Sequence, residues 1–217
     1  MHEQLGRLGG RFFSRIYLSQ QRQLSGAFAE FMQGDAGGTI LDVGLAPSSL
    51  HQEAWYLEAW ADLQLRSRMT PHRIQLSSES IHLPFAGGEF DWACCNGVIE
   101  HAGDSGRQFQ LVRELARVVR KGVFVATPNR RHPVDFTTAL PFAHWLPDVW
   151  RQRILNRKGK NGQALQPRPN LLRAGALYRY AAMLPEKPKH DVGHKRVFGI
   201  KSNFFLMITK DPPMAWN

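Results

Sequence analysis

The sequence predicts an α/β protein with a doubly wound, mostly parallel sheet, and three observations support this prediction. Short apolar runs of the kind that form fully buried parallel strands recur along the chain, at 39–44, 90–96 and 123–127. A strongly amphipathic stretch with helical spacing, 108–120, lies between the second and third runs. Near the end, 196–200 and 204–210 are typical of a hairpin around Lys201-Ser202-Asn203, which adds an antiparallel edge.

The other elements follow from the same signals, in chain order. Residues 11–33 carry apolar side chains at near-helical spacing and predict one or two helices that end at Gly34. Residues 51–61 are compatible with a helix. The segments 63–69 and 73–77 are candidates for two strands, with only Thr70-Pro71-His72 between them. Gly122 marks the expected end of the 108–120 helix. A last helix is expected over 171–183.

Length and composition limit the class of protein. The chain has 217 residues, 43% hydrophobic and 21% charged, which fits a single globular domain over 1–217 and disfavours disorder. No apolar stretch has the length of a membrane span, and no secretory signal is recognisable at the start. The two cysteines, Cys94 and Cys95, are adjacent and poorly placed for a disulfide bond, so we expect a cytoplasmic protein.

The charge balance is strongly basic. Lys and Arg number 28 against 18 Asp and Glu, which gives a net charge of +10 and a pI of about 10.1. Such a charge attracts polyanions, namely nucleic acid, an anionic membrane face or phosphorylated substrates. A well-solvated surface explains the same charge without any partner.

The first candidate site is the triplet Asp42-Val43-Gly44, at the end of the first predicted strand. In open α/β sheets, ligands bind beyond the carboxyl ends of the strands, where the strand order reverses. A glycine there lets the backbone approach a ligand closely, and a carboxylate accepts hydrogen bonds from a ligand amine. An aspartate that caps the next turn, beside an ordinary turn glycine, explains the triplet equally well.

A second motif lies further along the chain. Residues 83–91 read LPFAGGEFD, a strand follows, and residues 96–101 read NGVIEH. In this order the segments from about Thr39 to Asn129 resemble the class I S-adenosylmethionine (SAM)-dependent methyltransferases, particularly the type 11 branch. The resemblance implies a Rossmann-like sheet of seven strands, with an N-terminal helical segment over 1–34. Residues 130–170 are then an inserted loop or lid over the acceptor side.

The resemblance also implies a role for individual residues. SAM is the implied cofactor, and its binding residues are Asp42, Gly44, Ala46, Glu79, Asn96 and Gly97. Asp42 and Gly44 lie under the methionine part of SAM, Glu79 near the adenine, and Asn96 with Gly97 beside the methyl group. Glu100 and His101 are the implied catalytic residues on the acceptor side. A histidine that merely caps a turn is the competing interpretation of His101.

Three departures from the family pattern bear on activity. The glycine loop is degenerate, because Gly44 is followed by Leu45-Ala46-Pro47-Ser48-Ser49 and Pro47 removes a backbone donor. The candidate second strand ends in 66–70 without the acidic residue that usually binds the ribose. The helix expected between the second and third strands has no room at Thr70-Pro71-His72.

Three functions therefore remain open. The leading hypothesis is a SAM-dependent enzyme that methylates a small or a lipid- or sugar-linked acceptor. The alternatives are a catalytically degenerate relative that binds or scaffolds, and an RNA-binding protein or RNA methyltransferase. Candidate ligands for a metal lie at His132, Asp135 and His144, but they lack the spacing of a metal site, so no metal is predicted. The sequence leaves the oligomeric state and the acceptor undetermined.

Overall fold

The protein is described here from a computed structural model, over residues 2–32, 38–44, 70–75, 81–135, 140–142, 145–157 and 169–210. Its helices are α1 (His2–Phe31), α2 (Ser105–Val118), α3 (Asp148–Arg157) and α4 (Ala174–Ala182). Its strands are β1 (Thr39–Gly44), β2 (Thr70–Gln75), β3 (Phe90–Asn96), β4 (Val119–Pro128), β5 (Val134–Asp135), β6 (Leu140–Pro141), β7 (Lys189–Val197) and β8 (Ile200–Thr209). A short 3₁₀ turn, Ile99–His101, follows β3.

The main sheet has the strand order β2-β1-β3-β4-β8-β7. The first four of these strands are parallel, and β8 and β7 are antiparallel to their neighbours. The chain moves outward from β1 to β2, then returns to the other side of β1 at β3. The order therefore reverses between β1 and β3, which makes their carboxyl ends the switch point of the sheet. The prediction of an α/β, mostly parallel sheet with an antiparallel hairpin at its end is confirmed.

The strand count differs from the prediction. Six strands form the main sheet within the described residues, so the seventh strand is not confirmed. The break expected at Thr70-Pro71-His72 is wrong, because β2 runs through it. Pro71 suggested a turn, but β2 has only β1 as a described neighbour, and an edge strand tolerates a residue without an N–H. The expected strand over 63–69 and the helix over 51–61 lie outside the described residues.

The C-terminal hairpin turns earlier than the sequence predicts. Its strands are joined at Phe198-Gly199, where φ is +52° and +76°, rather than at Lys201-Ser202-Asn203. Two consecutive residues in the left-handed region are the geometry of the two-residue turn that suits a twisted hairpin. Phe198 gives no sequence signal for that turn, because a bulky residue seldom adopts a positive φ.

The helices cover both faces of the sheet. The apolar face of α1 packs on one side through Leu24 and Phe28, against strand residues that include Trp92 and Phe124. The rings of Phe28 and Phe124 lie 5.3 Å apart. On the other side, α2 and α4 pack against the alternate residues of the same strands, and Leu111, Leu115 and Leu177 are fully buried. The predicted helices over 11–33, 108–120 and 171–183 therefore correspond to α1, α2 and α4.

Gly122 has a different role from the predicted helix stop. The helix α2 ends at Val118, and Gly122 lies inside β4. A Cβ atom built there meets the carbonyl oxygen of Ile208 and the ring of Trp92, both at 2.7 Å. Only glycine lets β4 approach these two neighbours.

The segment after β4 contains β5, β6 and α3 within its described parts. Its position as a lid over the acceptor side stays a prediction. No helix among the described residues is long and apolar enough to cross a membrane.

Candidate functional site at the carboxyl edge of the sheet

The carboxyl ends of β1 and β3 lie side by side at the switch point. The two strands are in parallel register, with Val43 opposite Cys95. The residues that end them, Gly44 and Asn96, therefore lie next to each other. On the other side of β1, Gly44 is opposite Gln75, the last residue of β2. Two of the predicted cofactor residues are thus brought together by the sheet itself.

The edge at Gly44 is open at backbone level among the described residues. A Cβ atom built on Gly44 meets no described atom within 4 Å. Gly97 has φ of +70° and its N–H donates to the carbonyl oxygen of Ala126 at 2.9 Å, which turns the chain away at the end of β3. A Cβ atom built on Gly97 meets Glu100 Oε1 at 3.8 Å, so among the described residues the backbone is more accessible to a ligand at Gly44 than at Gly97.

Asp42 lies two residues before Gly44 in β1 and is buried, with 1% of its surface exposed. It is opposite Cys94 in the register, and its charge adds to the effect of burial in raising the pKa of the Cys94 thiol. Direct contact between Asp42 and a ligand stays a prediction.

Helix α1 brings two glutamines to the carboxyl edge that the sequence analysis missed. The Gln21 side chain accepts a hydrogen bond from Asn96 Nδ2 at 2.5 Å, and Gln20 Nε2 donates to Asn203 Oδ1 at 3.0 Å. Both glutamines are buried. The sequence contained a signal for the burial of Gln20. It precedes the core residues Leu24 and Phe28 by four and eight positions and so lies on the apolar face of α1.

Glu100 is enclosed between β3, β4 and the chain before α4. Its side chain is 4% exposed and accepts a hydrogen bond from Thr127 Oγ1 at 2.9 Å. Its backbone oxygen accepts from the N–H of Asn170 at 2.7 Å. Burial raises the pKa of this carboxyl from its ordinary value of 4.5 to about 7, although the hydrogen bond from Thr127 opposes that change.

His101 follows at the end of the 3₁₀ turn and is partly exposed. Its N–H donates to the carbonyl oxygen of Val98 at 2.9 Å, which closes the turn. The backbone of His101 therefore closes the 3₁₀ turn. Its partly exposed side chain stays the predicted candidate for catalysis on the acceptor side.

The family comparison agrees with this geometry. Residues 24–127 match the family model described as "Methyltransferase domain". The match shows a similarity to methyltransferase domains over just under half of the chain. The matched region runs from the last third of α1 to Thr127 and so contains the switch point, Asn96 and Glu100. The similarity indicates SAM as the cofactor. No curated protein matches the chain by sequence.

Two solved structures share the fold of this chain. A cyclopropane-fatty-acyl-phospholipid synthase-like protein from Lactobacillus casei superposes with a TM-score of 0.52 at 14% identity, covering 97% of this chain and 100% of that one. The trans-methyltransferase CalH, solved in complex with S-adenosylhomocysteine (SAH), gives a TM-score of 0.51 at 11% identity, covering 89% of this chain and 58% of that one. At these identities the likeness is one of fold.

The motif at 83–91 joins helix α2 and the starts of β1 and β3. Leu83 is fully buried, and its N–H donates to Glu114 of α2 at 3.1 Å. Arg117 donates to the carbonyl oxygens of Leu83 and Phe85 at 3.0 and 2.8 Å, and its hydrogen bond to Glu114 lowers the pKa of that carboxyl. At the other end of the motif, Asp91 accepts from the N–H of Thr39 at 3.0 Å, which joins the starts of β3 and β1.

Several predicted residues lie outside the described part of the chain. These are Ala46 and the rest of the degenerate loop, and Glu79. Their roles stay predictions, as does the candidate strand end over 66–70. The structure adds one fact, because the strand beside β1 ends at Gln75 rather than at an acidic residue. Glu79 is the next carboxylate along the chain. Within the described residues, no three metal-binding side chains converge.

Proposed function

We propose that this protein binds SAM at the carboxyl ends of β1 and β3 and transfers its methyl group to a small or a lipid- or sugar-linked acceptor. The observation that carries the proposal is the backbone at Gly44, where an added Cβ meets no described atom within 4 Å, at the point where the strand order reverses. Ligands of open α/β sheets bind at this point. The family match over residues 24–127 supplies the chemical class.

The residues at this edge fit the cofactor. In the proposal Gly44 and Gly97 admit its methionine part and sulfonium, Asn96 lies beside the methyl group, and Asp42 supports the strand end from below. Ala46 replaces a glycine of the family pattern in the loop after Gly44, and Glu79 is the carboxylate that lies toward the adenosine. When bound, the sulfonium supplies the activated methyl group. The protein then has to align the acceptor with that methyl group and exclude water.

Glu100 and His101 are the candidates for proton transfer on the acceptor side. A carboxyl group with a pKa of about 7 changes its protonation state near neutral pH, as a general base must. Glu100 is nevertheless enclosed, whereas His101 is partly exposed. In this proposal His101 contacts the acceptor, and Glu100 holds the turn that presents it.

One observation favours a second function, a relative that binds without catalysis. The strand beside β1 ends at Gln75, and β2 contains no carboxylate for the ribose hydroxyls. An unpaired ribose costs about 1–3 kcal/mol of binding free energy, which is roughly one to two decades of affinity. Such a protein keeps the fold and loses much of the affinity for SAM.

Calorimetry with SAM and with SAH tests the proposal. We expect both to bind at the micromolar level, and Asp42→Ala to weaken binding. Gly175→Ala is the matched control, because Gly175 lies in α4, outside the residues proposed to bind the cofactor, and its added Cβ meets no described atom within 4 Å. Absence of heat with either ligand at high protein concentration would contradict the enzyme and favour the non-catalytic relative.

A further inference from the structure

Exposed apolar side chains are concentrated in one short segment after β4. Large apolar side chains are exposed at eight positions within the described residues, and half of them lie between 142 and 150. These four are Phe142, Trp145, Val149 and Trp150. We call them the aromatic patch. Single exposed apolar residues are ordinary, but several in one short segment mark a surface that binds something apolar.

The aromatic patch exposes apolar side-chain surface, rather than polar atoms, to the solvent. The indole N–H of Trp145 donates to the carbonyl oxygen of Arg130 at 3.0 Å, while 51% of the residue remains exposed. The ring of Phe142 lies 5.3 Å from that of Trp145. The polar atom of Trp145 is therefore satisfied inside the protein, and its apolar ring surface faces solvent.

Phe142 is held in an unfavourable backbone conformation. Its φ is +58°, in the left-handed region that bulky residues seldom adopt. Its N–H donates to the carbonyl oxygen of Pro133 at 2.6 Å, which fixes the position. Half of the Phe142 surface stays exposed, so burial of its ring does not account for the strain. The turn therefore keeps the ring of Phe142 half exposed at a cost in backbone strain.

Exposed cations lie close to the aromatic patch in the sequence. Arg130, Arg131 and Arg153 are exposed, and Asp148 is the single carboxylate among the side chains described between 130 and 157. The guanidinium of Arg153 lies 5.9 Å from the centre of the Trp150 ring, in a cation–π contact. Tryptophan beside arginine suits the boundary of a membrane, where the ring enters the headgroup layer and the cation meets lipid phosphate.

We propose that the aromatic patch docks this protein on an anionic lipid surface. Val149 favours lipid over RNA, because an aliphatic side chain offers no stacking face for a base. The charge complementarity comes from the three arginines and from the net charge of +10. Attachment is peripheral, with the patch inserted at the level of the headgroups. The proposal is independent of methyl transfer.

Vesicle flotation tests the proposal on the full chain. We expect binding to vesicles of phosphatidylcholine mixed with phosphatidylglycerol, little binding to phosphatidylcholine alone, and loss of binding in high salt. Trp150→Ala should weaken the partition coefficient about tenfold, because apolar area is lost from the membrane contact. Arg153→Gln should weaken it less. Met183→Ala is the matched control and should leave it unchanged, since Met183 is equally exposed (59% against 58%) but lies outside the patch.

Each other outcome overturns the proposal. Anionic-vesicle binding that Trp150→Ala leaves unchanged would show attraction by net charge alone. Absence of binding to either vesicle would contradict it directly. Binding of single-stranded RNA that Trp150→Ala weakens, with vesicles unbound, would assign the patch to nucleic acid. Thermal midpoints and SAH titrations of the same variants establish that they fold and that their cofactor site is unaltered.

Discussion

Two neighbouring parts of the carboxyl edge have opposite characters. Between β1 and β3 the strands end in glycine and a partly exposed asparagine, and a Cβ atom built on Gly44 meets none of the described atoms within 4 Å. Between β3 and β4, one strand further along, Glu100 and Thr127 are buried and bonded to each other. We infer that the first part receives the ligand and that the second holds the edge in shape. The family motif NGVIEH spans both parts, so its residues divide between the two roles.

The largest expected effect is on the open part. Gly44→Val should lower the affinity for SAH about a hundredfold, because the new side chain fills the space that the ligand needs in order to reach the protein backbone. The free energy of unfolding should change little, since an added Cβ meets no described atom within 4 Å. Calorimetry and urea denaturation of the same variant separate the two quantities. A large fall in the free energy of unfolding would mean that Gly44 contributes to the stability of the fold.

The next effect concerns the closed part and depends on pH. The pKa of Glu100 is about 7 in the folded protein and ordinarily 4.5, so between these values the folded protein keeps a proton that the unfolded chain has lost. The free energy of unfolding therefore falls as the pH rises from about 4.5 to about 7, by up to about 3 kcal/mol. Glu100→Gln should flatten this part of the profile, because glutamine stays neutral. Urea denaturation at a series of pH values measures the free energy of unfolding of both proteins. Parallel pH profiles would refute the raised pKa of Glu100.

A smaller effect is expected from the partner of Glu100. Thr127→Val keeps the shape of the side chain and removes the hydroxyl donor, which should lower the free energy of unfolding by about 1–2 kcal/mol. The affinity for SAH should stay the same. Thr209→Val is the control, because Thr209 is exposed at the end of β8. A large loss of SAH binding in Thr127→Val would erase the distinction between the two parts of the edge.

The smallest effect concerns the link between α1 and the open part. A double-mutant cycle with Gln21→Ala and Asn96→Ala should give a coupling of about 1 kcal/mol in the free energy of unfolding. Gln23→Ala should show no coupling to Asn96, because Gln23 lies two residues on and bonds Ser19 on the exposed side of α1. Zero coupling for Gln21 would mean that the contact contributes nothing to the position of α1.

Much of the fold could be predicted because its signals are local. The strands β1, β3 and β4 are continuous apolar runs, and α2 is a clear amphipathic stretch, so their patterns identify them. The bounds of β2 were not predicted. A strand that contains Pro71 is tolerated at the edge of a sheet, and which strands lie beside it depends on the whole fold. The turn at Phe198-Gly199 was misplaced because a phenylalanine gives no sequence signal for a positive φ.

The site was only partly predictable. Gly44 was singled out because it ends a predicted strand, and Asn96 and Gly97 were implied by the family resemblance; the parallel sheet brings Gly44 and Asn96 to one edge, and their role in binding stays a prediction. The contacts of α1 were missed because they join residues far apart in sequence: Gln21 with Asn96, 75 positions on, and Gln20 with Asn203, 183 positions on. The enclosure of Glu100 depends in the same way on Asn170, which belongs to another part of the chain.

A crystal structure of the complex with SAH tests the central claim most directly. We predict ligand density over Gly44 and Gly97, beside Asn96, with the Glu100–Thr127 hydrogen bond intact beneath it. Density centred on Glu100 and Thr127 with their bond broken, or a crystal without ligand after soaking at saturating SAH, would contradict the division of the edge into a ligand-binding part and a structural part.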